Sequence, residues 1–133
     1  MSNDIAKFCT MVEDRFTPTI KALANIILQN DAAAIRSIGK MMSSDALLYC
    51  QQDIMKYAIT CHAKHISLHL MPIYCYADIH TKYKNLIKAG KFQKGCINFS
   101  NLDDIPLMEI GQMIVECAAK PYPTQYQLDR LLK

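Results

Sequence analysis

Four histidines, His62, His65, His69 and His80, fall close together with Cys61 and Cys75 among them, and imidazole with thiolate is the donor set that zinc takes. Along one strand, positions two apart are separated by about 6.6 Å and positions four apart by about 13 Å, so His65 and His69 cannot share an ion unaided. A site would have to recruit His62 or His80. The expectation is therefore a polar sheet face, with no metal-ligand set assigned and its histidines meeting solvent or tyrosine hydroxyls. Lys82, Lys84, Lys88, Lys91 and Lys94 form a basic group around Gly90 to Gly95, suited to a phosphate, another anion or an acidic partner. Tyr49, Tyr57, Tyr74, Tyr76 and Tyr83 gather in the same half of the chain with Met41, Met42, Met55 and Met71. Such side chains bury area and adapt to shape, so they suit a small apolar ligand or a partner surface as well as a core. The ligand-binding candidates are Tyr57, His65, His69, Tyr74, Tyr76, Lys88, Lys91 and Lys94.

No catalytic residues are assigned. The chain has no Gly-rich phosphate loop, no G-x-S-x-G elbow and no H-E-x-x-H helix, and Cys61 with His65 is a pairing of composition alone. Asp103 and Asp104 are adjacent carboxylates that read as helix-start residues favoured by the dipole. A protein without enzymatic activity and without a cofactor is expected.

The elements that must carry these residues are those of an α+β domain. His65-Ile-Ser-Leu-His-Leu70 alternates strictly, which puts Ile66, Leu68 and Leu70 on one face of a strand and His65, Ser67 and His69 on the other. Ala46 to Cys50 and Ile54 to Cys61 read as a hairpin around Gln51-Gln52-Asp53, and Cys96 to Phe99 as a further short strand. Thr17-Pro18 reads as a capping hydroxyl and first-turn proline, opening an amphipathic helix to about Asn30. A shorter helix is expected from Asp4 to Val12. A second amphipathic helix should run from Tyr76 towards Ala89, with Tyr76, Ile79, Tyr83, Leu86 and Ile87 inward and Gly90 ending it. Asp103-Asp104 and Pro106 open a third, carrying Leu107, Ile110, Ile114 and Cys117 on one face. Gly111 inside it signals close packing against a neighbour. Residues 31–44 read as irregular or edge structure. Pro121 and Pro123 precede a short tail helix that docks on the body or on a second copy of the chain.

A length of 133 residues with 51% hydrophobic content fits one domain with a real core, flanked by an extension at 1–13 and a tail at 121–133. The net charge of +3 is too small to call for a nucleic-acid partner, and Tyr83 with Phe92 does not make a stacking platform. The early charges Asp4, Lys7, Glu13, Asp14 and Arg15 argue against a signal or membrane anchor, and six scattered cysteines without a Cys-x-x-Cys pair argue for free thiols. A cytoplasmic location is expected, with an unidentified small ligand or protein as partner.

Two segments, HISLHLMPIYCY at 65–76 and GKFQKGCINFSNLDDIPLMEIGQMI at 90–114, resemble the YdhG-like domain family. In that bacterial family a strand ending near Met-Pro leads to a helix, a Gly-Lys turn, a Cys- or His-containing strand and a closing helix. The resemblance spans residues 14–117 and implies a frataxin-like sandwich, an antiparallel sheet covered on one face by helices. One branch is described as a frataxin-like iron chaperone, and most members have no established activity. Frataxin-type sites use an acidic ridge on the first helix, since hard cations want carboxylate oxygens. The segment from Thr17 to Asn30 contains no Asp or Glu, with only Glu13, Asp14 and Asp31 flanking it. The resemblance therefore implies a binding or carrier module first and metal handling second.

Overall fold

The computed structural model describes residues 4–131. β1 (Ile35–Met41), β2 (Ser44–Gln51) and β3 (Ile54–Cys61) form a meander continued by β4 (Ile66–Leu70), and β5 (Lys91–Phe92) and β6 (Cys96–Phe99) return after two helices. The sheet is antiparallel throughout, in the order β1-β2-β3-β4-β6-β5. Residues 35–41 thus form an edge strand. Two-residue turns join β1 to β2 and β2 to β3, and φ is positive at Met42 (51°), Ser43 (72°), Gln52 (53°) and Asp53 (62°). That conformation matches the twist of a tight hairpin and is natural for Gly, Asn or Asp. Met42 is none of these, and its side chain is 87% exposed.

Alternation sends Leu47, Tyr49, Tyr57, Ile59, Ile66, Leu68, Leu70, Ile97 and Phe99 to one face, all essentially inaccessible. Helices cover that face: α1 (Asp4–Thr10), α2 (Thr17–Asn30), α3 (Met71–Cys75), α4 (Ala77–Leu86) and α5 (Leu107–Ala119). They add Phe8, Ile20, Leu23, Ile27, Ile73, Ile79, Tyr83, Ile110, Met113 and Ile114 to a single core. The result is an α+β sandwich with one sheet face left open. The segment 1–13, expected as an extension, places Phe8 of α1 wholly in this core. The tail docks on the chain's own body: the Tyr122 hydroxyl donates to Met55 O, Gln51 Nε2 donates to Tyr122 O at 3.0 Å, and α6 (Gln125–Leu131) follows. Leu132 and Lys133 lie outside the described residues.

Several local expectations change. The cap of α2 is Phe16, and no side chain caps it; Thr17 is already helical. The helix expected from Tyr76 stops at Leu86 rather than near Gly90, and Leu86 is half exposed. Gly90 is needed for a different reason, because a Cβ there would lie 2.4 Å from Ile97 Cγ2 and 2.8 Å from Phe99 Cε1. Asp103 and Asp104 belong to a separate 3-10 turn, Leu102–Asp104, with Asn101 Oδ1 accepting from the Asp103 amide, so they do not open α5. Leu107 is exposed, and Met113 takes the inward place. Gly111 does face α2, but a Cβ there would meet Asn30 Nδ2 at 3.6 Å and Ile26 Cγ2 at 3.9 Å, ordinary contact rather than a clash.

Candidate binding cleft on the open sheet face

Cross-strand pairing assembles the open face row by row. Ala46, Thr60, Ser67 and Asn98 align across β2, β3, β4 and β6, and Leu48, Ala58, His69 and Cys96 form the next row. Paired residues share a face, and of these rows Thr60, Ser67, His69, Cys96 and Asn98 form the floor of a cleft. Met41, Met42 and Ser44 of the first turn, with His62 and His65 of the β3–β4 turn, rise at one side. Met71 and Tyr74 of α3 and Gln93, Lys94 and Gly95 of the β5–β6 turn close the other. The cleft so formed has a volume of about 740 Å³, within the range of small-molecule sites.

Thr60 organises the histidines. Its Oγ1 lies 2.9 Å from Nε2 of both His62 and His69, and the His62 and His65 rings stack with centroids 4.8 Å apart. The pKa values of His69 and His65 are lowered, first by burial and then by the nearby charge of His62. A hydroxyl beside an imidazole is the pairing of nucleophile and base, but Thr60 is 1% exposed, which closes its oxygen to a substrate. Beside it, Ser67 Oγ donates to Asn98 Oδ1 at 2.6 Å, and Cys96 Sγ donates to Gln93 Oε1 at 3.1 Å. Gln93 is further held by its backbone, whose amide donates to Cys96 O and whose carbonyl lies 2.8 Å from His80 Nε2.

Of the residues singled out in the sequence, His65, His69, Tyr74 and Lys94 line this cleft. Lys91 pairs with Asn98 and so shares its face at the sheet edge. Lys88 is exposed in the loop after α4, and Lys82 is tied to Glu116 at 2.7 Å. Two tyrosines are corrected. Tyr57 is fully buried beneath the helices with its hydroxyl on Asp31 Oδ2 at 2.7 Å, because its strand parity points it to the core. Tyr76 donates to Pro121 O and anchors the tail instead of meeting a ligand. Tyr49 and Tyr83 are likewise core residues. His80 stays apart from the other histidines, its ring edge-on to Phe92. Among the described residues no three His, Cys, Asp or Glu side chains converge to hold a metal ion. All six cysteines are free, and burial pushes the Cys61 and Cys117 thiols up to about 12.

Thr60, Asn98 and Gln93 were not singled out from the sequence. Thr60 and Asn98 were recoverable by extending strand alternation across the register to Ser67, but that register depends on which strands pair. Comparison with protein-family models, curated proteins and solved structures finds no match for the chain. Among the described residues no helix is long and apolar enough to cross a membrane.

Proposed function

We propose that the protein is a non-catalytic binding or carrier module of the YdhG-like, frataxin-like kind, acting in the cytoplasm, and that its ligand is a small molecule held on the open sheet face. The observation that carries this reading is the cleft itself: a floor of small side chains between an exposed Met42 and Tyr74, on the one face that no helix covers. The absence of catalysis is supported by the closed Thr60 oxygen and by thiols whose raised pKa values leave them protonated and poorly nucleophilic. Metal handling has less support, because Glu13 is paired with Arg15 at 2.8 Å and Asp31 with Lys56 at 2.7 Å, leaving two of the carboxylates that flank α2 already committed.

Amide NMR spectra recorded while adding simple neutral, anionic and cationic aromatic fragments test the location. Saturable shifts concentrated at Thr60, Ser67, His69, Cys96 and Asn98 are expected. Shifts gathering on the outer surface of α2 and α5, or none with any fragment, would remove the open face as the binding surface.

A further inference from the structure

The internal hydrogen bonds of the cleft take the side-chain amide oxygens of Asn98 and Gln93 and leave their amide nitrogens as donors. Asn98 Oδ1 is taken by Ser67 and Gln93 Oε1 by Cys96, which turns the amide nitrogens of both side chains free of those bonds. The Ser67 hydroxyl, 3% exposed, spends its proton on Asn98 and so holds that amide in place. Lys94 adds an ammonium with no carboxylate partner among the described residues, and no Asp or Glu lines the cleft. Free N–H donors bind groups that accept, and an oxyanion satisfies several at once with charge assistance.

The apolar rim adds the second half of the specificity. Met41, Met42, Met71 and Tyr74 offer thioethers and one ring, surfaces that pack on a flat hydrocarbon. Met42 is the informative residue because its side chain is left 87% exposed at the rim; its φ of 51° belongs to the two-residue turn, as does the 53° of Gln52 in the other hairpin.

From these two observations we infer that the cleft takes an organic oxyanion carried on a flat apolar body, its head on Asn98, Gln93 and Lys94 and its body along Met42 and Tyr74. This rests on the open face being the binding surface, and the test separates the two claims. The probes are 3-phenylpropionate, its neutral amide 3-phenylpropanamide, its amine analogue 3-phenylpropylamine, and phenyl phosphate, titrated into the full chain by NMR. Fragments of this size bind with dissociation constants on the order of millimolar. The two anions should shift the cleft amides at lower concentration than the amide or the amine, and the tighter of the two identifies a carboxylate or a phosphate head. Lys94→Gln should weaken the anions about tenfold and leave the neutral amide unchanged, whereas Lys84→Gln on α4 should change neither. Met42→Asn should raise the melting temperature yet lower affinity for every probe, a pair of effects that a purely structural turn residue would not produce. Equal or tighter cleft binding of the amide and the amine would overturn the anion assignment while the cleft reading stood. Unchanged anion affinity in Lys94→Gln would do the same. Failure of all four probes to shift the cleft would take down both.

Discussion

His69 is held with its Nε2 against Thr60 Oγ1 on a half-buried strand face, and its lowered pKa follows first from burial and then from His62. A histidine whose folded pKa lies below the unfolded value near 6.5 binds a proton more readily in the unfolded chain. Its contribution to stability is therefore complete above about pH 6.5 and is lost as pH falls through the folded value. His65, partly exposed, follows in the same direction with less weight. Glu116 behaves separately: hydrogen bonds from Lys82 and Tyr83 lower its pKa below 4.5, so its contribution disappears only in stronger acid. Denaturant titrations from pH 7.5 to 3 should show falling stability, and His69→Gln should remove most of the slope between pH 7.5 and 5 while leaving the loss in stronger acid that Glu116 contributes. An unchanged slope in the variant would place the proton uptake elsewhere.

At the scale of elements, β3 shows how a strand can break its own alternation to useful effect. The register shifts between Tyr49 and Cys50, which pair with Tyr57 and Met55, leaving Lys56 as an extra residue. A bulge of this kind re-aims a side chain, and Lys56 turns inward, 1% exposed, with its Nζ 2.7 Å from Asp31 Oδ2 and 2.9 Å from Gln51 Oε1. Removing one partner of a buried pair leaves an uncompensated charge, so Lys56→Met should cost about 3 to 5 kcal/mol. Adding Asp31→Asn should recover part of that loss, a coupling that a double-mutant denaturation cycle measures directly. Plain core positions behave more simply: Leu68→Ala should cost about 2 to 5 kcal/mol, since Leu68 is wholly inaccessible. Gly111→Ala on α5 is expected to stabilise by up to about 1 kcal/mol, because helix propensity improves and the new methyl group meets only ordinary contacts on α2. A destabilised alanine variant would show that α2 and α5 cannot yield even slightly.

Across the whole molecule, what was legible in the sequence is what depends on local periodicity. The strand at Ile54–Cys61 and the helix at Thr17–Asn30 are where their patterns put them, and the inward set Ile66, Leu68 and Leu70 follows from alternation alone. The bulge at Lys56, the tail anchored through Tyr122 and the pairing of β4 with β6 arise from contacts between distant segments, which no window of sequence contains. The candidate site was divided in the same way. His65, His69 and Tyr74 could be chosen by type and position, whereas Tyr57 looked available only because side-chain direction was not yet assigned to the core. Asn98 and Gln93 have meaning only once Ser67 and Cys96 have claimed their oxygens. The basic group, read as one patch, divides between Lys82 on the helix side and Lys94 at the cleft. The most direct test of the binding account is a crystal structure of the protein with 3-phenylpropionate. The expected result is a carboxylate within hydrogen-bonding distance of Asn98 Nδ2 and Lys94 Nζ, with the ring on the floor between Met42 and Tyr74. A fragment seated on the helical face, or one in the cleft with its ring on Asn98 and its carboxylate turned to solvent, would contradict it.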